Sequence, residues 1–420
     1  MPTPKTQIPQ NRHARLSRRG FLTAATLAAA GAAMPALAQK RTASAKRPPL
    51  AYVGTYSNPQ GPEGSKGHGQ GIYLFEMDPS SGALTQRAVF ASDANPAWLA
   101  LDPSRTHLYS ANETTTYRDA DSGSVSAYAI NRASGELTLL NTVSSEGAGP
   151  AHLSVHPAGK HVLVANYAGG TVAVLPLGAN GELGAATDVK TGRGAVGPAR
   201  AASAPRGSFA ISGHEHPHAH MIASDPTGRF VLSSDLGRDV IFIWKFDVAS
   251  GRLVENDPPW VALPPGDGPR HFVFHPNGRW FYSLQEESST VAFFGYDAQS
   301  GRLTPRQTIS SLPKGFAGTN FTSEIMVSTD GKFLYAANRL HDSIAWFSIG
   351  AGGLLTHLGE QWTRGDYPRS FGIDPSGEFL FSCNQRSDAI AAFRRDKNSG
   401  ALAFTGQYTP VGTPAIIVFL

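Results

Sequence analysis

Cysteine is nearly absent from this chain of 420 residues, which contains one, Cys383. A lone cysteine excludes a disulfide within the chain and a zinc site built on several thiolates. It falls in an apolar run, so we expect a buried thiol rather than a catalytic nucleophile. We also find no Gly-x-Ser-x-Gly motif and no cofactor fingerprint. An acyl-serine route is therefore not expected, and neither is a cofactor.

An excess of charge of one sign is also missing once the N-terminus is set aside. The whole chain has 36 lysines and arginines against 32 acidic residues, a formal net charge of +4. Five of those bases and none of the acids lie in residues 1–38, which leaves 31 bases against 32 acids. Nucleic-acid binding therefore has no electrostatic support.

The first 38 residues have the pattern of a targeting segment. Twin arginines in residues 17–22 precede a short apolar stretch, residues 22–33, and Ala-Leu-Ala at residues 36–38 offers a cleavage site. We interpret residues 1–38 as a twin-arginine signal peptide and residues 39–49 as a linker. Because this route exports folded proteins, we expect the mature chain in the periplasm and not in the membrane.

From residue 50 onward one pattern recurs seven times. Its fullest copy, residues 269–304, holds four short apolar runs separated by turn sequences. A repeat of about 45–50 residues with four strands is the signature of a β-propeller blade. The second run of each copy lies at residues 51–56, 107–113, 161–167, 230–236, 280–286, 333–339 and 379–385.

One copy is divided between the two ends of the domain. The N-terminal copy begins at its second run, whereas residues 414–420 form a first run that no second run follows. We expect the C-terminal segment to complete the first blade as its innermost strand, which closes the ring and removes open sheet edges. The sequence thus predicts an all-β, seven-bladed propeller with four-stranded antiparallel blades over residues 50–420.

Equivalent positions can be compared by counting from the turn glycine between the first and second runs. Seven residues after it every blade has Asn, Asp, Gln or Thr, and this uniformity favours a structural role in closing loops. One position further the residues are unlike: Tyr56, Glu113, Tyr167, Leu236, Glu286, Arg339 and Gln385. The start of the first run is equally diverse: Ala97, Ala151, His220, Arg270, Ser323, Arg369 and Ala415. Unlike ionisable residues at equivalent rim positions indicate one asymmetric site near the central channel, and solvated rim charges are the alternative.

The most polar segment is residues 214–220, His-Glu-His-Pro-His-Ala-His, at the end of a long insertion. Alternate histidines on an extended chain face one side, so a metal site is one interpretation. No carboxylate or cysteine stands at a recognisable ligand spacing, and we assign no metal. We expect His218 and His220 to transfer protons or to bind substrate instead.

Five segments resemble the lactonase family of seven-bladed propellers. They are Pro-His-Ala-His at 217–220, Asp-Leu-Gly-Arg-Asp at 235–239, the Gly-Pro-Arg-His segment 268–278, Ala-Asn-Arg-Leu-His-Asp-Ser-Ile at 337–344, and Tyr-Pro-Arg-x-Phe at 367–371. The family includes cycloisomerase-type 6-phosphogluconolactonases and fungal carboxymuconate-lactonising enzymes, and the resemblance covers residues 50–420. It implies that a histidine, two arginines and a glutamate at one rim carry the chemistry. By motif, these catalytic residues are His218 or His220, Arg270, Glu286 and Arg339.

The residue types suit lactone opening, which needs a base, positive charge for the carbonyl oxygen and an acid for the departing alkoxide. Glu286 or a histidine can be the base, while Arg270 and Arg339 can hold an oxyanion or an anionic substrate group. Further rim residues are expected to bind the substrate: His152, Tyr167, Asp235, His271, Glu324, Arg369 and Gln385. The predicted function is a 6-phosphogluconolactonase-like hydrolase of a small sugar lactone. A muconate-type cycloisomerase and a non-catalytic binding propeller are the alternatives.

Overall fold

Seven four-stranded sheets, one for each blade, make up the domain as predicted. The computed structural model describes residues 47–59, 66–202, 204, 208–209 and 213–420, and the predicted signal peptide lies outside them. Arg47–Leu420 forms one unit. No helix in this described part is long and apolar enough to cross a membrane.

The strands follow one another around the ring. Blades 1 to 3 contain β1 (Leu50–Thr55), β2 (Gly71–Met77), β3 (Leu84–Ala91), β4 (Pro96–Leu101), β5 (His107–Asn112), β6 (Ser124–Ile130), β7 (Leu137–Ser144), β8 (Pro150–Val155), β9 (His161–Asn166), β10 (Thr171–Pro176) and β11 (Asp188–Thr191). A short β12 (Ser208–Phe209) precedes blade 4, which contains β13 (Ala219–Ser224), β14 (Phe230–Asp235), β15 (Val240–Asp247) and β16 (Arg252–Ala262).

Blade 5 contains β17 (Pro269–Phe274), β18 (Trp280–Gln285), β19 (Thr290–Asp297) and β20 (Arg302–Ser310). After a short β21 (Gly318–Thr319), blade 6 contains β22 (Thr322–Val327), β23 (Phe333–Asn338), β24 (Ser343–Ile349) and β25 (Leu355–Trp362). Blade 7 contains β26 (Pro368–Ile373), β27 (Phe379–Asn384), a 3₁₀ turn (Gln385–Ser387), β28 (Ala389–Arg395) and β29 (Leu402–Pro410), and the chain ends with β30 (Pro414–Phe419). Between blades, β12 pairs in parallel with β21 and so joins two insertions.

The C-terminal strand closes the ring, as the divided repeat predicts. β30 pairs antiparallel with β1, with Ala51 opposite Phe419 and Val53 opposite Ile417. The sheet order β3-β2-β1-β30 makes it the innermost strand of blade 1. Both ends of the domain are therefore held in one sheet, and the ring cannot open without breaking that pairing.

Every second strand ends one residue earlier than predicted, at the uniform Asn, Asp, Gln or Thr position. Asn166 shows why, since its side-chain amide donates to the carbonyl oxygen of Ser145 and to the hydroxyl of Thr171. Asn384 donates in the same way to the carbonyl oxygen of Thr363. These side chains tie the strand end to the preceding loop, which is the structural role that their uniformity indicates.

The core lies between neighbouring blades. One apolar cluster joins blades 7 and 1 around Phe75, Phe381 and Ile417. Cys383 is fully buried in this cluster, and burial raises the pKa of its thiol well above the ordinary value. The thiol is thus a packing group, as expected. Fully burying each large apolar side chain contributes about 1.5–3 kcal/mol.

Candidate active site

A cavity of about 430 Å³ opens at the rim where the second strands end, and we call it the mouth cavity. Five of the predicted site residues line it: Tyr167, His220, Glu286, Arg339 and Arg369. The remaining lining residues are Asn58, Glu113, Thr114, Thr115, Thr116, Gly149, Ala151 and Ala168. All seven blades therefore contribute to this cavity. The residues that they contribute differ from blade to blade, so the cavity is asymmetric.

The first strands carry side chains to this rim through a repeated break in register. In blade 4 the pairing passes from Ala219 to Met221 and skips His220. Blade 5 skips Arg270, and blade 7 skips Arg369. A β-bulge bends its strand and changes the direction of the bulged side chain. The three residues that the sequence singled out at this position are therefore the bulged residues themselves.

The residue after each second strand is held by a recurring backbone hydrogen bond. The amide of Glu286 donates to the carbonyl oxygen of Gly268, and that of Tyr167 to the carbonyl oxygen of Gly149, both at 2.7 Å. The two glycines have φ values of 65° and 63°, which glycine adopts without a steric penalty. The backbone is thus alike in the blades while the side chain differs, as an asymmetric site on a repeat requires.

Glu286 lies between two guanidinium groups. Its Oε2 atom is 2.9 Å from Nε of Arg270 and 2.8 Å from Nη2 of Arg339. The side chains of Arg270, Glu286 and Arg339 are only 3%, 7% and 1% exposed. Burial, with the neighbouring arginines, lowers the pKa of Arg270 to about 10, so it remains charged at pH 7. The carboxylate thereby fixes both arginines, and Arg339 faces the mouth cavity.

A third guanidinium, that of Arg369, enters the cavity from blade 7. Its Nη2 atom is 3.9 Å from Oε1 of Glu113, and its guanidinium carbon Cζ is 5.6 Å from the centre of the Tyr56 ring. Tyr56 donates its hydroxyl hydrogen to Oε2 of Glu113 at 2.7 Å. With three guanidinium groups near two carboxylates, the cavity wall is suited to an anion or a developing oxyanion.

His220 brings an imidazole ring into the mouth cavity. Burial, followed by the charges of Arg270 and other cations, lowers its pKa well below 6.5, so its imidazole is neutral at pH 7. Its Nδ1 atom is buried without a hydrogen-bond partner among the described residues. Its ring meets the Tyr167 ring edge-on at 5.3 Å. A neutral imidazole beside a positively charged wall can act as a general base.

A layer of rings carried by β4, β8 and β17 adjoins the mouth cavity at His220. Trp98, His152 and His271 have ring centres 4.6–5.5 Å apart, and His271 is 5.1 Å from His220. The Nδ1 atom of His271 is 3.3 Å from Oε2 of Glu324. Burial lowers the pKa values of His152 and His271 well below 6.5 and raises that of Glu324 to about 8. These three predicted residues do not line the cavity but support its floor as neutral groups.

Three other predicted residues also lie behind the cavity wall. The ring of His218 stacks on that of Tyr167 at 4.2 Å. Asp235 accepts the backbone amide of His218 at 2.9 Å and an Arg238 hydrogen at 2.7 Å. Gln385 is buried at the start of the 3₁₀ turn. Their placement favours a role in holding the wall, rather than the catalytic role predicted for His218 and the substrate contacts predicted for Asp235 and Gln385.

Long loops supply some of the cavity residues that the sequence analysis did not select. Asn58 lies between the second and third strands of blade 1, and residues 114–116 lie in the same connection of blade 2. In blade 5 the same connection is only residues 286–289. Loop length at this rim is the signal that could have found them, since a longer connection can reach over the channel.

A buried ion network anchors the insertion that precedes β13. His214 has Nε2 3.1 Å from Oδ1 of Asp239 and Nδ1 2.8 Å from Oε2 of Glu287. Burial lowers the pKa of His214, but its hydrogen bonds to the two carboxylates outweigh this and raise the pKa to about 10. Asp239 also accepts the amides of Gly266 and Gly268. The network therefore ties the insertion to the start of β17, which carries Arg270.

Known proteins share this architecture. The family model for "Lactonase, 7-bladed beta-propeller" matches residues 50–419. A 6-phosphogluconolactonase of Bacillus subtilis is 34% identical over 372 residues, which are 88% of this chain and 98% of that protein. One from Formosa agariphila is 31% identical over 356 residues, 84% of this chain and 94% of that protein. The solved structure of the Pseudomonas aeruginosa periplasmic gluconolactonase has a TM-score of 0.78 at 30% identity and covers 89% of this chain and 99% of its own. The resemblance seen in the motifs is confirmed, and the chain belongs to the lactonase family of seven-bladed β-propellers.

Proposed function

We propose that the mouth cavity hydrolyses a sugar lactone with His220 as the general base. The chain is a lactone hydrolase by its family and by relatives named 6-phosphogluconolactonase that are 31–34% identical to it. The observation that carries the assignment of the site is a neutral, buried imidazole in the same cavity as Arg339 and Arg369.

In the proposed reaction a water molecule adds to the lactone carbonyl carbon while His220 takes one of its protons. The negative charge that develops on the carbonyl oxygen is stabilised by a guanidinium group of the wall. The bond between the carbonyl carbon and the ring oxygen then breaks, and protonated His220 returns the proton to the departing alkoxide. The product is a hydroxy acid, which releases one proton to solvent. Glu286 keeps Arg270 and Arg339 in place throughout.

The proposed substrate is a sugar lactone, and Arg369 is the candidate for holding a phosphate group on it. It lines the mouth cavity from blade 7, and its Nη2 atom is 3.9 Å from Oε1 of Glu113. A phosphate binds a guanidinium group through two parallel hydrogen bonds. We further propose that residues 1–38 direct export, in agreement with the periplasmic relative of Pseudomonas aeruginosa.

Proton release in a pH-stat tests the function. We expect the purified protein to open D-glucono-1,5-lactone or its 6-phosphate faster than the uncatalysed reaction. If Arg369 binds phosphate, Arg369→Gln raises KM for the phosphorylated lactone about tenfold or more and changes KM for the other lactone little, because charge-assisted hydrogen bonds are worth about 1.5–3 kcal/mol. If no sugar lactone opens faster than without protein, the hydrolase proposal fails. Turnover of a muconolactone alone would favour a cycloisomerase.

A further inference from the structure

Three potential metal ligands converge just behind the wall of the mouth cavity. Glu215, His216 and His218 each offer one ligand atom, and these atoms lie within 4.8 Å of one another. The side chain of His218 is 3% exposed, whereas those of Glu215 and His216 are 66% and 46% exposed. The group therefore has one fixed member and an open side that solvent reaches.

Both histidines present the same nitrogen to the group. The Nδ1 atom of His216 is 2.8 Å from the carbonyl oxygen of Pro217, and that of His218 is 3.1 Å from the carbonyl oxygen of Tyr167. A carbonyl oxygen can only accept, so each Nδ1 is placed to donate, and in the neutral imidazole each Nε2 then carries a lone pair. Histidines that bind metals are oriented in this way, with the non-ligating nitrogen donating to a backbone carbonyl.

The distances between the donor atoms suit one small cation. Oε1 of Glu215 lies 3.0 Å from Nε2 of His218 and 3.6 Å from Nε2 of His216. In a tetrahedral zinc site with bonds of about 2.1 Å, two ligand atoms are about 3.4 Å apart. The two observed distances lie on either side of that value. Two lone pairs and a carboxylate oxygen at such separations repel one another unless a positive charge lies among them.

We propose that Glu215, His216 and His218 bind a divalent cation of the zinc class. Two imidazoles and one carboxylate are a recognised ligand set for Zn²⁺, and three protein ligands leave a further position for water on the exposed side. The ion lies outside the mouth cavity, one ring away from it, because His218 stacks on Tyr167 at 4.2 Å. It fixes the segment that enters β13 and so supports both Tyr167 and His220 without taking part in the hydrolysis.

Calorimetric titration of the chelator-treated, dialysed protein with ZnCl₂ tests the site. We expect one site per chain, with the affinity lowered at least tenfold in Glu215→Gln and in His216→Ala. Both side chains are exposed, so these variants keep the fold, which circular dichroism checks. His68→Ala is the matched control, because His68 is an exposed histidine with one carboxylate, that of Asp388, at 2.9 Å. It should leave Zn²⁺ binding unchanged.

Co²⁺ alone gives an independent readout, because its visible absorption reports the coordination geometry. The wild-type protein should show bands of four-coordinate Co²⁺ that Glu215→Gln lacks. The proposal is overturned if the wild type takes up no Zn²⁺, or if Glu215→Gln and His216→Ala bind it as tightly as the wild type.

Discussion

Replacing Glu286 with glutamine should destabilise the whole domain as well as disturb the mouth cavity. The substitution removes the negative charge that lies 2.9 Å from Arg270 and 2.8 Å from Arg339 and leaves the shape of the side chain almost unchanged. All three side chains are at most 7% exposed, so water cannot replace the lost charge. Breaking a buried ion pair costs about 3–5 kcal/mol, and here two guanidinium groups lose one partner.

Urea unfolding followed by tryptophan fluorescence measures this effect. We expect the free energy of unfolding of Glu286→Gln to fall by about 3–5 kcal/mol. Glu378→Gln is the matched control, since Glu378 also lies near two cations, Lys397 at 3.3 Å and Arg394 at 3.8 Å, but its side chain is 43% exposed. Exposed ion pairs contribute about 0–1 kcal/mol, so the control should unfold close to the wild type.

A double variant identifies the cause. In the double variant, Arg339→Gln removes a guanidinium group that has already lost the carboxylate of Glu286. The double variant should therefore lose at least about 1 kcal/mol less free energy of unfolding than the sum of the two single variants. A Glu286→Gln protein as stable as the wild type would refute the reasoning. Strict additivity in the double variant would refute the ion-pair explanation in particular.

Three further outcomes follow from the fold. Deleting residues 414–420 should abolish cooperative unfolding, because β30 is the strand that closes blade 1; a cooperative transition in this variant would contradict ring closure. Cys383 should react with a thiol reagent only after unfolding, because it is fully buried; rapid labelling of the folded protein would exclude this. Lowering the pH from 6.5 to 5.5 should lower the free energy of unfolding, because burial depresses the pKa values of three histidines that stay neutral when folded: His152, His220 and His271. Glu324, with its pKa raised to about 8, and His214, with its pKa raised to about 10, oppose this loss but are outnumbered, so the net effect of acidification is a loss of stability; stability that is flat or rises on acidification would contradict this.

The fold could be predicted from sequence because every blade buries its apolar strands against neighbouring blades in the same way. Apolar runs and turn glycines recur at fixed spacing, and the divided copy left one solution for residues 414–420. The predicted second strands are one residue too long. The observed strands end at residues such as Asn166, whose side chain bonds to a neighbouring loop, and periodicity does not reveal that contact.

The site could be predicted only in part. The position of a residue in the repeat predicts that it lies near the rim, but not how far below the rim its side chain lies. His220 and Arg369 reach the mouth cavity since a bulge turns them there, whereas His271, one residue further along than Arg270, lies in the layer beneath. The pairing of Glu215 with the neighbouring histidines was missed for a similar reason. Adjacent residues point to opposite sides of a regular strand, but this segment precedes β13 and has no strand structure.

Steady-state kinetics of His220→Gln decide whether the mouth cavity is where the lactone opens. A general base contributes about 10²–10⁴-fold, so we expect kcat on an accepted sugar lactone to fall by that factor while KM and the urea midpoint stay near those of the wild type. The acid limb of the wild-type kcat/KM profile should lie well below pH 6.5, since burial depresses the pKa of His220 and activity is lost only when that group is protonated. A His220→Gln protein with the wild-type kcat would contradict the assignment of the base and of the cavity.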